Sequence, residues 1–269
     1  MKTNTILAMV SGALLLSSTA TAQDYPSSKS TSKKTLIWRD EFNGKGLPDP
    51  AKWGYEEGFI RNRESQYYTR ARQENCFRKG GKLIIRSLKE NYQNASYTSA
   101  SINTLGKQQF EGDFRIEIRA KLPQGQGIWP ALWMMGTNIQ QVGWPKCFEF
   151  DIMEFVGHTP NTVHGTFHWW EPEGKDKHKS KGSTIKESDL HNKFHVYGIE
   201  RKGDTAKVFI DDKVYFTMTA PPNAYQGSFR GPVYLLMNTA IGGEWGGKID
   251  DAIFPQEFVI DYVRAYRLD

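Results

Sequence analysis

Alternation between apolar and polar residues dominates the chain from residue 82 onwards and predicts β-strands. In the segment FRIEIRAKL (114–122), Phe114, Ile116 and Ile118 fall on one face and charged residues on the other, which is typical of an antiparallel strand with one buried face. Similar patterns predict strands at 82–88, 131–135, 148–156, 162–170, 194–201, 207–216, 232–240 and 258–268. No stretch sustains an apolar period of 3.6 residues, so helices should be few and short.

Turn-forming sequences separate the predicted strands, among them RKGG (78–81), PQGQG (123–127) and RKGD (201–204). Many short strands without the spacing of crossover helices indicate antiparallel pairing. The expected fold is therefore an all-β sandwich of two packed antiparallel sheets, in one domain without internal repeats.

The amino-terminal residues have the features of a secretory signal peptide. One lysine precedes an apolar stretch from Ile6 to Leu16, and Ala20 and Ala22 stand in A-x-A spacing, which predicts cleavage after Ala22. The apolar stretch is well short of the roughly 20 residues that span a bilayer, which argues against a membrane anchor. We therefore expect a signal peptide at 1–22, a flexible leader rich in Ser, Lys and Thr at 23–35, and a secreted or periplasmic domain at 36–269.

Charge and cysteine content narrow the function classes. Loss of residues 1–22 would leave 247 of the 269 residues and remove only Lys2, so the net charge would fall from +5 to +4. Lysines of the leader supply much of this excess and the rest of the chain mixes both signs, which argues against a nucleic-acid partner. The two cysteines, Cys76 and Cys147, permit at most one disulfide, and two buried thiols are favoured because nothing in the sequence places them together.

Aromatic residues are more abundant than a core requires. The chain has eight Trp and twelve Tyr, many of them in loops or at outward-facing positions. Pyranose rings stack their C–H faces on flat apolar side chains, while their hydroxyls bind amides and carboxylates. Trp129 and Trp133 are four residues apart and would share one face of a strand. A sugar-binding groove is therefore one hypothesis.

Three carboxylates lie close together in the segment CFEFDIMEF (147–155). In an unbroken strand Glu149 and Asp151 would share one face and Glu154 would lie on the other, with the Cα atoms of the two glutamates roughly 16 Å apart. A β-bulge at Met153 or its neighbour would bring all three acids to one face and shorten that distance to roughly 13 Å. Without a bulge, Glu154 would be an ordinary solvent-facing residue.

Acids that share one strand face repel one another and do not ionise together, an arrangement that is useful where shifted pKa values serve catalysis. Retaining hydrolysis of a glycosidic bond needs one ionised carboxylate as nucleophile and one protonated carboxyl as acid, about 5–5.5 Å apart. The cluster therefore predicts glycosidase chemistry if Glu149 and Glu154 face the same side.

Two adjacent segments resemble the core of glycoside hydrolase family 16, in its laminarinase-like branch: GQGIWPALWMMG (125–136) and VGWPKCFEFDIMEFVGHTPNTVHGTFH (142–168). The resemblance implies a β-jelly-roll sandwich with a concave substrate cleft, a retaining double displacement, and a bulge in members with the E-x-D-x-x-E spacing seen here. It extends over most of the chain through WRDEFNG (38–44), ESQYYT (64–69), GGKLIIRS (80–87), YTSASINT (97–104), AIGGEWGG (240–247) and IDYVRAY (260–266).

The resemblance also implies a role for each matching residue. Glu149 matches the nucleophile and Glu154 the general acid/base, while Asp151 would share a hydrogen bond or a proton with them. No cofactor is implied for catalysis. The matching substrate-binding positions are Asn62, Glu64, Trp129, Trp133, Trp144, His168, Asn238 and Trp245.

Two metal sites come into consideration. Many relatives hold a structural Ca²⁺ away from the chemistry, and Asp261 matches its carboxylate ligand, while Glu41 and Gly81 lie in the segments that would donate backbone carbonyls. The alternative is that Asp261 only caps its strand. His164 and His168 are four residues apart on one strand face, but no third ligand is evident beside them, which argues against a catalytic metal.

Three residues depart from the family pattern. Ser101 stands where relatives have Arg in T-S-A-R, and this change removes a bidentate donor expected near the cleft. Phe148 replaces the usual Gly before the nucleophile, and Glu244 stands where Asn is common. These changes affect sugar contacts without touching the pair of acids.

The expected function is that of a monomeric, retaining endo-β-glucanase. Its expected substrates are the β-1,3 linkages of laminarin-type glucan, or β-1,4 bonds that adjoin β-1,3 units in mixed-linkage glucan. One alternative is a family 16 hydrolase of an algal galactan such as agar or carrageenan, with which the basic pI of about 9.0 is compatible. Another is a non-catalytic β-glucan-binding protein, although such a protein would lose carboxylates that this chain retains.

Overall fold

The computed structural model describes residues 24–173 and 175–269, so the predicted signal peptide lies outside the described residues. Two four-residue helices, α1 (Ile139–Val142) and α2 (Gly243–Gly246), and two 3₁₀ turns (Tyr225–Arg230 and Asp251–Ile253) accompany the strands. The strands are β1 (Lys34–Asp40), β2 (Gly54–Tyr55), β3 (Gln66–Tyr68), β4 (Cys76–Arg78), β5 (Leu83–Tyr92), β6 (Ala95–Ser99), β7 (Ser101–Asn103), β8 (Phe114–Lys121), β9 (Ile128–Gly136), β10 (Glu149–Glu154), β11 (Thr162–Trp170), β12 (His178–Lys186), β13 (His195–Lys202), β14 (Thr205–Ile210), β15 (Lys213–Thr219), β16 (Val233–Ile241) and β17 (Gln256–Leu268).

The strands form two sheets packed face to face. One sheet has ten strands in the order β15-β14-β13-β8-β17-β5-β6-β3, with β1 paired to β17 and β4 to β5. The other has seven strands in the order β12-β11-β10-β9-β16-β7-β2. All pairings are antiparallel except that of β3 with β6. The predicted antiparallel sandwich with few helices is confirmed, and no helix among the described residues is long and apolar enough to cross a bilayer.

The core between the sheets follows from the alternation of apolar residues. On β8, Phe114, Ile116 and Ile118 are fully buried, and they face Phe150 of β10 and Phe167 of β11 in one continuous apolar cluster. On β11 burial alternates residue by residue over its nine residues. The outward positions of β9, β10 and β16 are therefore free to build a surface on the far side of the seven-stranded sheet.

Two sequence-based expectations about strands are corrected. The predicted strand 207–216 is a hairpin of β14 and β15, because Asp211 adopts a left-handed φ of 50°, which Asp tolerates better than most residues. Strand β12 is polar along most of its length and escaped prediction because it pairs only with β11 and its side chains are mostly exposed. Both cysteines are buried free thiols, as expected.

The predicted flexible leader has defined contacts. Residue Ser28 is 5% exposed, and its N–H donates to Asp212 O at 2.9 Å, while Pro26 O accepts a hydrogen bond from Val214 N at 2.8 Å. Strand β1 begins at Lys34, within the expected leader. Part of the expected leader thus makes main-chain hydrogen bonds, which need no apolar side chains.

Strand β10 contains one residue more than its neighbours over the same length. Glu149 and Glu154 are five residues apart, but their Cα partners are only four apart on β9, at positions 135 and 131, and on β11, at positions 168 and 164. The surplus falls at Ile152 and Met153, which are both fully buried in the core. The predicted bulge is confirmed, and it returns Glu154 to the face that carries Glu149 and Asp151.

A hydrogen bond across the core supports the bulge. The Tyr215 hydroxyl on β15 donates to Ile152 O at 2.7 Å and satisfies a carbonyl at the point where the ladder is interrupted. Gly165 makes room for this contact, because a Cβ at that position would lie 2.9 Å from the hydroxyl oxygen. The bulge is thus held from the opposite sheet.

Substitution of this tyrosine should destabilise the fold. Tyr215→Phe leaves the Ile152 carbonyl without its partner, and we expect a loss of about 1–3 kcal/mol in the free energy of unfolding, measured by urea denaturation. Tyr197→Phe is the matched control, because the buried Tyr197 hydroxyl has no hydrogen-bond partner among the described residues, and its removal should be neutral or stabilising. Equal effects of the two substitutions would contradict the role assigned to Tyr215.

Candidate active site

A cleft of about 440 Å³ lies on the face of the seven-stranded sheet that is turned away from the core. It contains the three clustered acids and six of the eight predicted substrate-binding residues. Its lining is formed by Glu56, Ile60, Arg61, Asn62, Glu64, Trp129, Ala131, Trp133, Met135, Ile139, Trp144, Glu149, Asp151, Glu154, Tyr234 and Asn238.

Glu149 has two neighbours that favour its ionised form. Burial raises its pKa, but the nearby charge of His168 and a hydrogen bond from Trp144 act in the opposite direction. The indole Nε1 of Trp144 donates to Glu149 Oε2 at 2.9 Å, and His168 Nε2 lies 4.0 Å from Oε1. The pKa of Glu149 is raised overall, and these two contacts are the ones that favour its carboxylate.

The surroundings of Glu154 favour its protonated form. Burial and the negative charges of Asp151 and Glu149 raise its pKa well above the ordinary value. One hydrogen bond, from Trp129 Nε1 to Oε1 at 3.1 Å, favours the carboxylate and only partly offsets these effects. This environment suits an acid that must carry a proton near neutral pH.

Asp151 lies between the two glutamates along the strand and is 3% exposed. Burial and the charge of Glu149 raise its pKa well above the ordinary value. Its Oδ2 has no hydrogen-bond partner among the described residues, although His168 Nε2 is 3.4 Å away. The proton of a neutral Asp151 would lie between Glu149 and Glu154, whose charges change during the reaction.

His168 is joined to a histidine that the sequence analysis did not identify. His168 Nδ1 and His178 Nε2 are 2.9 Å apart, and the His178 ring meets Trp144 edge-on at a centroid distance of 4.6 Å. His178 lies at the start of the polar strand β12, where no alternation pattern pointed to the cleft. The pair orients the imidazole that faces Glu149 and Asp151.

Three side chains of the site lie close enough together to bind a metal ion, which the sequence did not suggest. Ligand atoms of Glu149, Asp151 and His168 lie within 4.8 Å of one another, and they form the one such group among the described residues. His168 thus faces the acids rather than joining His164 in a site. The other oxygen of Glu149 accepts from Trp144, and the other ring nitrogen of His168 pairs with His178, an arrangement that suits proton chemistry.

Asn238 and Glu64 form the polar wall of the cleft. Asn238 accepts from Trp133 Nε1 at 2.7 Å and donates to the buried Tyr68 hydroxyl at 2.9 Å. Glu64 accepts from Asn62 Nδ2 at 3.2 Å and from Gln66 Nε2 at 2.7 Å. These bonds hold the predicted hydroxyl-contacting side chains in fixed orientations.

The tryptophans differ in how much surface they offer. Trp144 is 50% exposed, whereas Trp129 and Trp133 are 9% and 6% exposed. Trp245 packs edge-on against Trp129 at 5.4 Å and does not line the cleft itself. Sugar stacking by these residues stays a prediction, for which Trp144 has the largest free surface.

Phe148 has an unusual backbone conformation. It adopts a φ of 69°, in the left-handed region that favours glycine, which gives a physical reason for the usual Gly at this position. Its ring is fully buried, tilted against Phe150 at 4.5 Å and stacked with Trp169 at 6.2 Å. This aromatic packing offsets the backbone strain before the catalytic strand.

Two of the residues predicted for calcium binding, Asp261 and Glu41, have cationic partners. Asp261 accepts a hydrogen bond from Arg119 and lies 4.0 Å from Lys82 Nζ, beside the segment that contains Gly81. Both carboxylate oxygens of Glu41 accept hydrogen bonds from Arg264. Asp261, the one side-chain ligand expected for Ca²⁺, is thus paired with cationic groups in this structure, and calcium binding stays a prediction.

Comparison with known proteins agrees with this geometry. The sequence model of "Glycosyl hydrolases family 16" matches residues 63–264. The beta-glucanase of Rhodothermus marinus is 43% identical over 245 residues, which cover 86% of this chain and 85% of that protein.

Solved structures of the family superpose on this fold. The laminarinase from Rhodothermus marinus has a TM-score of 0.82 at 41% identity and covers 89% of this chain and 100% of its own. A mutant of a non-specific endo-β-1,3(4)-glucanase of family GH16, co-crystallised with 1,3-β-D-cellotriosyl-glucose, has a TM-score of 0.83 at 36% identity and covers 92% of this chain and 100% of its own. The chain belongs to glycosyl hydrolase family 16.

Proposed function

We propose that this protein is a retaining endo-β-glucanase that cleaves β-1,3-glucan, mixed-linkage β-1,3-1,4-glucan, or both. The observation that carries the proposal is the pair Glu149 and Glu154, brought to one face by the bulge and given different proton affinities by their surroundings. The names of the relatives support the substrate, since they are a beta-glucanase, a laminarinase and an endo-β-1,3(4)-glucanase.

The two glutamates divide the chemistry between them. In the first step, Glu149 attacks the anomeric carbon while Glu154 gives its proton to the leaving glycosidic oxygen. The C–O bond breaks, and a glycosyl ester forms on Glu149. In the second step, Glu154 takes a proton from water as the water oxygen attacks the same carbon, and Glu149 leaves as a carboxylate. Two inversions retain the β configuration.

The charge of the cleft supports a neutral substrate. Five of its lining residues carry carboxyl groups and one carries a guanidinium. A sulfated galactan would bring further negative charge to a site where Glu149 must ionise, so this alternative is disfavoured on electrostatic grounds. The non-catalytic alternative is disfavoured because the complete pair of acids has the environment that hydrolysis requires.

The remaining proposals concern where the protein acts, its oligomeric state and its metal or cofactor binding. The amino-terminal sequence supports export with cleavage after Ala22, followed by action of the domain outside the cytoplasm. We also propose a monomer that acts without a membrane anchor and without a catalytic cofactor. A structural Ca²⁺ at Asp261 would have to displace Arg119 and Lys82 from that carboxylate.

A substrate panel tests the proposal. The mature chain, incubated with laminarin, barley mixed-linkage glucan, agarose and carrageenan, should release oligosaccharides of several lengths from at least one glucan, because an open cleft admits internal bonds. Product NMR taken before mutarotation should show the β anomer at the new reducing end. Products from the galactans alone, or α anomers from a glucan, would refute the proposal.

Substitution with rescue separates the roles of the two acids. Glu149→Ala and Glu154→Ala should each lower kcat on glucan by roughly 10²-fold or more, because each removes an essential group. With an activated aryl β-glycoside, azide should yield an α-glycosyl azide with Glu149→Ala and a β-glycosyl azide with Glu154→Ala. Glu74→Gln, on an exposed side chain outside the cleft lining, is the control and should retain activity. Reversed azide products would reverse the assignment.

The pH profile tests the environment of Glu154. The alkaline limb of kcat/KM should report loss of the Glu154 proton, and the hydrogen bond from Trp129 lowers the pKa of that carboxyl. Trp129→Phe removes this stabilisation of the carboxylate, so the pKa should rise and the alkaline limb should move to higher pH. Trp38→Phe, on β1, is the control and should leave the limb in place. A shift to lower pH with Trp129→Phe would contradict the interpretation.

A further inference from the structure

An arginine absent from the sequence-based site presents a free donor to the cleft. The Arg61 guanidinium lies over the ring of Trp133, 4.9 Å from its centroid, on the side of the cleft formed by the 56–64 segment. Its Nη1 is buried and has no hydrogen-bond partner among the described residues. A buried donor without a partner is uncommon in folded proteins and calls for an acceptor in the working state.

The rest of the guanidinium is held in place. Its Nη2 pairs with Glu56 Oε1, and Glu56 Oε2 accepts from Ser101 Oγ at 2.6 Å. The main chain is anchored too, since Glu64 N donates to Arg61 O at 3.1 Å. Although burial disfavours its charge, Glu56 beside it holds the pKa of Arg61 above the ordinary value. Nη1 is therefore a preorganised donor with a fixed position.

We propose that Arg61 is a substrate-binding residue whose Nη1 donates a hydrogen bond to a hydroxyl oxygen of a neutral glucose unit, bound beside Trp133 on the Glu149 side of the cleft. This inference rests on the proposed function and names one of its sugar contacts. The ligand class follows from charge: Glu56 already balances the guanidinium and Glu64 lies nearby, so a hydroxyl suits the site better than a sulfate or carboxylate.

The contact of Ser101 with Glu56 supports the proposal. It is fully buried and donates to the carboxylate that orients Arg61. Ser101 also stands at the position where a bidentate donor expected near the cleft is absent. Arg61 lies in a different segment of the chain and brings a guanidinium to the cleft. The Ser101 hydroxyl anchors this guanidinium through Glu56.

Kinetics of matched variants on a purified β-1,3-linked glucohexaose test the inference. Arg61→Met keeps the apolar stem but removes the donors, and KM should rise about 10- to 100-fold, because a hydrogen bond from a charged donor is lost, while kcat changes less than about threefold. Arg61→Lys keeps the charge without the planar fork and should recover only part of the affinity. Arg63→Met is the control on an 86% exposed side chain paired with Glu244, and its KM should stay within about twofold of wild type.

Binding to an inactive background gives a second readout. Calorimetry with Glu149→Gln and the same hexaose, at a temperature well below the melting temperature of both proteins, should show the loss of affinity when Arg61→Met is added. If Arg61→Met fails to fold, Arg61→Lys, which retains a cation for Glu56, serves for both measurements. An unchanged KM in an Arg61 variant, or a fall in kcat alone, would overturn the inference while leaving the proposed function intact. A wild-type chain that cleaves no β-glucan would overturn both.

Discussion

One surplus residue in β10 is the constraint on which the site depends. Without it, Glu154 would project into the core, and neither its proximity to Glu149 nor its raised proton affinity could arise. The bulge buries Ile152 and Met153 side by side and turns all three acids outward. The Tyr215 hydroxyl satisfies the Ile152 carbonyl from the opposite sheet. Catalytic geometry and core packing are thus two consequences of the same backbone irregularity.

The difference between the two glutamates arises from what surrounds each of them. Both lie in a poorly solvated cleft where burial opposes ionisation. Glu149 has a nearby imidazole and the indole N–H of Trp144, whereas Glu154 has two acidic neighbours and the indole N–H of Trp129. The first set of partners favours a carboxylate and the second favours a proton. Two chemically identical side chains on one strand therefore become groups with different proton affinities.

The walls of the cleft combine rigidity with a few unfilled hydrogen-bonding positions. Asn238, Glu64 and Trp133 are tied to one another through Tyr68 and neighbouring residues, so they need little reorganisation when a sugar binds. The buried Nη1 of Arg61 and Oδ2 of Asp151 are without hydrogen-bond partners among the described residues. In a family 16 cleft, these are the positions at which a substrate or a moving proton can complete the network.

The sequence by itself determined the strands with apolar alternation, the sandwich and the acids, because these follow from local periods and from residue identity. Even the bulge could be predicted, since the spacing of Glu149 and Glu154 fits a two-residue period only with an extra residue between them. The contributions of Arg61 and His178, and the contacts of residues 26–28, could not be predicted in this way. They lie in loops or in a polar strand, where side-chain direction has no periodic signal. Only the tertiary structure decided which of these residues meet at the cleft, because their positions depend on how distant segments pack together.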